Sequence, residues 1–254
     1  MRKLKASLVH TAFGGLLVFS FWYVAHLWLD INVLPSPFAV FSALPDLPAQ
    51  GIALHAWASA YRVFMALSFS ILLGLSLGIL AAGKHIVARG LNPFLYFTYP
   101  IPRVALLPVV LLIFGLSNLS QIIMIVLIVV YPIIIVVRDS VKEIPPQTYH
   151  SLRCYGASPV QVFFYITLPW ALGSVLSTAR ISLGTALSIL FFVEAYGTRR
   201  GMGFFILDAW MRLNYVQMYA GIVALSGAGF ALFLLIDILE SFALKWKKVG
   251  ESHG

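Results

Sequence analysis

Six apolar stretches, each long enough to cross a lipid bilayer, constrain this chain more than any other feature of its sequence. A helix that spans the ~30 Å hydrocarbon core needs ~20 mostly apolar residues. Segments that meet this requirement lie at about 8–29, 57–82, 96–115, 120–137, 170–193 and 218–244. Charged residues make up only 10% of the chain, whereas a soluble domain carries about 25%. The sequence therefore predicts an all-α polytopic membrane protein, with six transmembrane helices in a single domain that covers residues 1–254.

The distribution of basic residues predicts how these helices are oriented. Cytoplasmic loops of membrane proteins carry an excess of lysine and arginine. If both termini face the cytoplasm, eleven of the 17 basic residues lie on the inner side. These eleven are Arg2, Lys3, Lys5, Lys84, Arg89, Arg138, Lys142, Arg153, Lys245, Lys247 and Lys248. We therefore expect cytoplasmic N and C termini, and we attribute the net charge of +8 to membrane-flanking residues rather than to nucleic-acid binding.

The sequence gives no indication of a disulfide or of a metal centre. Cys154 is the only cysteine, so an internal disulfide is excluded. The six histidines are scattered along the chain without the spacing of metal ligands. We therefore expect no metal site.

Two patterns outside the inner loops predict how the helices pack. Gly74 and Gly78 form a small-x3-small pair in the second span, and such pairs allow membrane helices to approach closely. In the outer loop at 194–217, the segment from Phe204 to Tyr215 is amphipathic. It is predicted to form a short helix that lies at the outer surface or dips into the helix bundle.

A polar segment at residues 138–169 separates the fourth and fifth spans and is predicted to lie at the cytoplasmic surface. Pro145-Pro146 ends the preceding helix, because proline cannot continue a helix from within. Residues 147–155 are then predicted to form a short helix, and Gly156 permits a bend without steric cost. The segment thus reads as two short helical pieces joined at a glycine.

The second of these pieces carries a helix-start signal. Ser158 is predicted to be the N-cap, with Pro159 at the first helical position. An apolar stripe follows at helical spacing, formed by Val162, Phe163 and Ile166. Periodicity alone leaves open that the segment is an ordinary amphipathic loop that rests on the lipid surface.

The spacing of residues within this segment resembles that of a known family. After Gly156, nine residues lead to Ile166, and one further residue leads to Leu168-Pro169. This spacing resembles the cytoplasmic coupling loop of ATP-binding cassette (ABC) importer permeases, written EAA-x3-G-x9-I-x-L-P. One departure is that His150-Ser151-Leu152 occupies the positions of the family's Glu-Ala-Ala. This departure is expected to affect how strongly the loop docks on its partner subunit and which partner it selects, but not whether it docks.

Sequence on both sides of the loop extends the likeness. The run Pro102–Pro108 upstream and the run Pro169–Leu172 downstream are similar to the branch that includes nitrate, sulfonate and taurine permeases. The likeness covers roughly residues 34–245.

This resemblance implies a type I ABC permease fold and the role of a membrane-spanning permease subunit in an ATP-driven importer. The permease would pair with a second copy of itself in the bacterial cytoplasmic (inner) membrane. Two separate ATP-binding subunits would dock inside, and a periplasmic or lipid-anchored solute-binding protein would deliver cargo outside. The chain itself would be non-catalytic and hold no cofactor, since ATP and magnesium would bind in the partner subunit. The docking positions of the family correspond to His150, Ser151, Leu152, Tyr155, Gly156, Ala157, Ser158 and Pro159.

Charged residues within the spans are the candidates for the translocation path. A charge at the centre of a membrane helix costs ~2.5–3.5 kcal/mol on insertion scales, so it needs a partner or a polar cavity. Arg180, Arg103 and Glu194 are the candidates, although Arg180 could instead pair with a buried carboxylate and Arg103 could reach the inner surface. Asp237 and Glu240 are expected to meet the basic inner edge.

Two other functions are possible for a polytopic membrane protein, and each predicts residues of its own. A secondary transporter driven by an ion gradient would need acidic relay residues near mid-membrane, and none is evident. A membrane-embedded enzyme would need a cluster of catalytic side chains at the membrane edge, and none is evident. The branch suggests a small anion such as nitrate, a sulfonate or taurine, but similar permeases move neutral or cationic vitamin precursors.

Overall fold

The computed structural model describes residues 2–83 and 86–243, and within these ranges the chain is built from helices and connecting turns without strands. The α-helices are α1 (Arg2–Leu29), α2 (Pro37–Ala43), α3 (Ile52–Ala82), α4 (Ile86–Thr98), α5 (Leu107–Phe114), α6 (Asn118–Lys142), α7 (Pro146–Cys154), α8 (Pro159–Val162), α9 (Leu168–Gly197), α10 (Met202–Met211) and α11 (Tyr215–Ala243). Short 3₁₀ turns lie at Leu44–Gln50 and Arg103–Leu106, and a π turn lies at Phe163–Thr167. Among the predicted inner cations, Lys84, Lys245, Lys247 and Lys248 lie outside the described residues.

Four of the predicted spans are continuous helices long and apolar enough to cross a membrane. They are Ile52–Ala82, Asn118–Lys142, Pro159–Tyr196 and Tyr215–Ile238. In α1, the stretch whose side chains the structure describes is apolar from Phe13 to Leu29, which corresponds to roughly 26 Å of helix. The prediction of six continuous spans is therefore only partly reproduced.

The third predicted span is the clearest departure. A single helix was expected over 96–115, but α4 and α5 meet at an angle of 90°. Pro100 and Pro102 explain the break, since each removes a backbone donor and restricts the residue before it. Arg103 stabilises the corner, because its Nη2 donates to the carbonyl oxygens of Thr98 at 3.0 Å and Tyr99 at 3.2 Å.

The core of the chain lies among α3, α6 and α9. Buried apolar side chains from these three helices pack together, and they are Val63, Ala66, Ile125, Val129, Ile133, Val137, Ala171, Val175, Leu183, Ala186 and Leu190. Gly74 and Gly78 permit the close approach of α3 to α6. A Cβ added at Gly78 would lie 2.6 Å from the Cβ of Val137 and 2.9 Å from the carbonyl oxygen of Ile134. The predicted role of the glycine pair in helix packing is confirmed.

At the end of the bundle opposite to α7, α2 and α10 pack together with the start of α11. The predicted short amphipathic helix is α10, and its buried residues include Phe205, Ile206 and Ala209. Phe205 packs with Val40 of α2 and Ala220 of α11. The segment therefore dips into the bundle rather than lying flat on its surface.

Candidate functional site

The segment between α6 and α9 projects from the helix bundle. α6 continues through Lys142, and Ile144 behind it is only 4% exposed. None of the residues of α7 is buried. Tyr155, at the end of α7, has 91% of its side-chain surface exposed. Tyr149 and Leu152 are partly buried, and the other residues of α7 are exposed, so most of the surface of this helix is available for another molecule.

Gly156 forms the bend that the sequence predicted. Its φ of +80° lies in the left-handed region, which glycine adopts without steric penalty. The backbone N–H of Gly156 donates to the carbonyl oxygen of Arg153 at 2.9 Å, and that of Ala157 donates to Leu152 at 3.4 Å. These bonds close the end of α7 and turn the chain toward α8.

The helix-start signal after the bend is confirmed in detail. The Ser158 hydroxyl accepts from the backbone N–H of Gln161 at 3.3 Å, and the Gln161 side chain accepts from the Ser158 N–H at 2.7 Å. This reciprocal pair is a capping box, with Pro159 at the first helical position. The bend and the start of α8 are therefore fixed by local bonds.

The projecting segment contacts the helix bundle through α8 and through the π turn that follows it. Val162 is buried at 6% exposure, whereas Phe163 is 36% exposed, so only part of the predicted apolar stripe packs inward. The Tyr149 hydroxyl lies 3.4 Å from the Thr167 hydroxyl across the segment. The π turn then leads directly into α9.

The residues assigned to docking form one region of this segment. Leu152 and Ala157 are partly buried, whereas the others are exposed, namely His150, Ser151, Tyr155, Gly156, Ser158 and Pro159. The region combines aromatic, hydroxyl and imidazole groups with no acidic side chain.

Arg180 lies on α9 and forms an ion pair with Asp237 of α11. Its guanidinium also lies 5.0 Å from the centroid of the Phe233 ring. The two side chains of the pair are 39% and 36% exposed. Asp237 was expected to meet the basic inner edge, and among the described residues its ion pair is with Arg180. The side chain of Glu240 lies outside the described part of the chain.

Glu194 lies inside the helix bundle and has no solvent exposure. Its carboxylate accepts from Arg62 Nη1 at 2.6 Å, from the Ser59 hydroxyl at 2.8 Å and from the Gly203 backbone N–H at 2.9 Å. Gly201 leaves the space that the carboxylate occupies, because an added Cβ there would overlap it. The group therefore joins α3 and α9 to the start of α10.

Arg62 is the residue of this cluster that sequence reasoning missed. It falls within the second predicted span but was not among the charged residues expected to line the path. Its remaining donors bond Asn118 Oδ1 at 2.8 and 3.0 Å and the Arg200 carbonyl oxygen at 2.7 Å. Ser59 lies three residues before Arg62 on the same helical face, and this polar pair inside an apolar span was an available signal.

Arg103 lies at the corner between α4 and α5 and is half-buried. Besides its two carbonyl contacts, its guanidinium lies 3.6 Å from the centroid of the Tyr131 ring. A cation at the carboxyl end of a helix and over an aromatic face is well compensated. The three candidate path residues therefore do not form one site. Arg180 lies in an ion pair with Asp237, Glu194 in a buried cluster, and Arg103 at the corner between α4 and α5. Among the described residues, no cluster of three or more potential metal ligands is present.

The family of the chain follows from a match over most of its length. Residues 74–244 match the family described as binding-protein-dependent transport system inner membrane component. The chain belongs to this family. The protein is thus the permease subunit of an ABC importer, a multi-pass membrane protein of a transport system that depends on a solute-binding protein.

Two relatives are similar in sequence to the permease over most of its length. The taurine transport system permease protein TauC of Escherichia coli is 31% identical over 89% of this chain and 84% of its own length. The formylaminopyrimidine transport permease protein ThiX of Halalkalibacterium halodurans is 30% identical over 85% of this chain and 86% of its own. The predicted place in the nitrate, sulfonate and taurine branch is confirmed, and the alternative of a secondary transporter finds no support.

A solved structure shows the same fold. A bacterial ABC transporter involved in the import of the acidic polysaccharide alginate superposes with a TM-score of 0.63. It is 16% identical, and the match covers 94% of the permease and 98% of that chain. The expected type I permease fold is confirmed.

Proposed function

We propose that this permease forms a homodimer and imports a small solute carrying an oxyanion group, using the segment from α7 to α8 to receive force from two ATP-binding subunits. Those subunits would bind ATP and magnesium, and the permease itself would perform no covalent chemistry. The observation that carries the coupling role is the exposed α7 next to the fixed bend at Gly156. A second copy is required because one such chain supplies half of a symmetric path.

The helix after the segment would transmit the movement across the membrane. The apolar helical stretch from Pro159 to Tyr196 has 38 residues, which corresponds to roughly 57 Å of helix. It begins at the capped turn beside Gly156 and carries Arg180 and Glu194 along its length. A displacement imposed on α8 is therefore expected to move the candidate path residue Arg180.

The coupling proposal is tested by Gly156→Asp with Gly51→Asp as the matched control. Both glycines have left-handed φ values, +80° and +76°, and an added Cβ meets nothing within 4 Å at either position. The two substitutions therefore carry similar backbone strain, but Gly51 precedes α3 far from the docking region. In proteoliposomes with the ATP-binding subunit and the solute-binding protein, Gly156→Asp should insert normally and lose uptake and stimulated ATP hydrolysis together. Equal activity of the two variants would refute the assignment of this segment.

The proposed solute class rests on the similarity to a taurine permease and on the permanent positive charge of Arg180, whose side chain is 39% exposed. Sulfonate and nitrate oxygens fit the planar donor fork of arginine. The relative named for formylaminopyrimidine transport makes an uncharged heterocycle the rival solute. Uptake of taurine, ethanesulfonate, nitrate and an aminopyrimidine by the same complex decides between them, and transport of the aminopyrimidine alone would overturn the proposal.

We infer cytoplasmic N and C termini from the excess of basic residues on one side. A reporter that is active only in the periplasm should stay silent when it is fused after Gly254. Activity of that fusion would place the C terminus in the periplasm and would contradict the model of six spans with both termini in the cytoplasm.

A further inference from the structure

An open cavity of about 370 Å³ lies at the end of the helix bundle opposite to α7, and it reaches the buried guanidinium of Arg62. The start of α3 contributes an aliphatic side chain and two aromatic side chains to its lining, namely Leu54, Trp57 and Tyr61. Asn118 at the start of α6 and Arg200 in the turn between α9 and α10 contribute polar groups. The cavity therefore combines apolar surface from one helix with polar groups from two other parts of the chain.

The polar groups of Asn118 and Arg200 have donors to spare. Asn118 accepts two bonds from Arg62 through Oδ1, at 2.8 and 3.0 Å, which leaves the two donors of its Nδ2 for another group. Among the residues that the structure describes, neither this Nδ2 nor the side chain of Arg200 has a hydrogen-bond or ion-pair partner. The nitrogens of the Arg62 guanidinium, by contrast, all donate to groups of the bundle. Asn118 and Arg200 are thus the groups open to a ligand.

The charge of the cavity is positive. None of the described residues that line it is acidic, and the charge of Arg62 is balanced by Glu194 at 2.6 Å. The guanidinium of Arg200 is permanently protonated, and Arg200 is exposed, so its charge is unbalanced within the described part of the chain. A guanidinium fork beside an amide donor suits a sulfonate or phosphate group, which offers acceptor oxygens and a negative charge.

The apolar part of the lining suits the rest of such a molecule. Leu54, Trp57 and Tyr61 have 65%, 74% and 42% of their surface exposed. Tryptophan and tyrosine supply large apolar contact areas together with one polar atom each. An anion with an apolar body can therefore place its charged head at Arg200 and its carbon atoms against α3.

We propose that this cavity is a binding site for an organic oxyanion, whose sulfonate or phosphate head is held by the Arg200 guanidinium and Asn118 Nδ2 while its apolar body contacts Trp57 and Tyr61. Two sources carry this chemistry, namely a small alkanesulfonate-like solute and the headgroup of an anionic phospholipid. Only the solute source rests on the proposed function. The site itself lies at the opposite end of α6 from α7, and the 25 residues of this helix correspond to roughly 37 Å.

Protection of Arg200 from phenylglyoxal, an arginine-specific reagent, tests the site without requiring transport. The full-length permease is used in dodecyl maltoside, a detergent with neither charge nor phosphate. Arg199→Gln leaves Arg200 as the arginine of its turn, and Arg200→Gln leaves Arg199, which is also exposed but does not line the cavity. The rate of modification is followed by mass spectrometry of the peptide that contains the turn. The probes are butanesulfonate, methanesulfonate and phosphatidylglycerol, each added at constant ionic strength.

The expected result is protection of Arg200 but not of Arg199. Butanesulfonate at ten times its dissociation constant should slow the modification of Arg200 by about tenfold, because a ligand at that concentration leaves about one site in eleven free. Methanesulfonate should need a concentration about tenfold higher, because it lacks three methylene groups that the cavity partly buries. Trp57→Ala should reduce this difference between the two sulfonates. Protection by the sulfonates identifies a solute site, whereas protection by phosphatidylglycerol alone identifies a lipid headgroup site, and either result supports an oxyanion site.

Asn118→Asp tests the second ligand without removing a contact of the fold. The carboxylate still accepts from Arg62, but it places a negative charge where Nδ2 is proposed to donate, so no probe should protect Arg200 in that variant. If the variant fails to fold, the comparison of Arg200 with Arg199 still decides. The proposal is overturned if no probe protects Arg200, if Arg199 is protected equally, or if protection persists in folded Asn118→Asp. Such a failure leaves the coupling role of the α7–α8 segment intact, because that role is measured by ATP hydrolysis in Gly156→Asp.

Discussion

Arg62 donates to Glu194 at 2.6 Å inside the helix bundle, and the two side chains are 3% and 0% exposed. The pair joins α3 to α9 across 132 positions of sequence. Asn118 at the start of α6 and the N–H of Gly203 in α10 bond the same two side chains. Four helices are thereby held together at one end of the bundle. We infer that Glu194, one of the candidate path residues, fixes this end of α9 rather than contacting solute.

Glu194→Gln is expected to lower the stability of the protomer. The amide still accepts from Ser59 and Gly203, but Arg62 is left as a buried charge without its counter-ion. Removing one partner of a buried ion pair costs ~3–5 kcal/mol. The thermal midpoint of the detergent-solubilised permease, followed by size-exclusion chromatography, should therefore fall clearly.

Two further variants isolate the charge effect. Arg62→Met combined with Glu194→Gln removes the unpaired cation and should recover part of the lost midpoint. Asp208→Asn breaks the exposed pair with Arg212, whose side chains are 36% and 57% exposed, and exposed pairs contribute only ~0–1 kcal/mol. If Asp208→Asn and Glu194→Gln shift the midpoint equally, the buried pair has no special structural role.

Sequence patterns predicted the elements of this fold better than the contacts between them. The periodic apolar runs located α3, α6, α9 and α11, because hydrophobic length and spacing are local properties. The bend at Gly156 was also predictable, since it depends on the residue types beside it. The partner of Glu194 was not, because no local pattern records which charge on a distant helix meets a given carboxylate.

The break between α4 and α5 was missed for a different reason. Hydropathy alone favoured one span over 96–115, but the spacing of Pro100 and Pro102 prevents a continuous helix there. Giving proline more weight than hydropathy would have predicted the corner, although not the cap that Arg103 provides to it.

Gly78→Ala is expected to separate α3 from α6. The added Cβ would overlap the side chain of Val137 and approach the Ile134 carbonyl oxygen. Overpacking of this kind costs ~1–3 kcal/mol, so the thermal midpoint and the folded yield should both fall.

Gly90→Ala is the matched control for that substitution. Gly90 lies within α4, and an added Cβ meets nothing within 4 Å. Alanine there should leave the midpoint unchanged or raise it, because alanine is up to ~1 kcal/mol better than glycine in a helix. A loss as large as that of Gly78→Ala would mean that the steric overlap is not the cause.

His150→Glu is expected to strengthen docking of the ATP-binding subunit. The substitution restores the acidic residue of the family loop on an exposed surface that lacks one. Because a single exposed ion pair contributes little free energy, the dissociation constant should decrease by about two- to fivefold at low salt. The measurement is the binding of the purified ATP-binding subunit. Gln147→Glu adds the same charge elsewhere on α7 and should have a smaller effect. Identical affinity and ATP hydrolysis with histidine, glutamate and alanine at position 150 would remove any tuning role.

Arg180→Lys separates a solute contact from a structural charge. Lysine keeps the positive charge and can remain paired with Asp237, but it lacks the planar fork that holds an oxyanion through two bonds. If Arg180 contacts solute, uptake per assembled complex in proteoliposomes should fall by about tenfold, the effect of losing one hydrogen bond to a charged group. Assembly should remain normal in that variant. Arg180→Met leaves Asp237 unpaired and should lower the folded yield whichever role is correct. Normal uptake by the assembled fraction of both variants would make Arg180 a packing residue and would exclude it from the path.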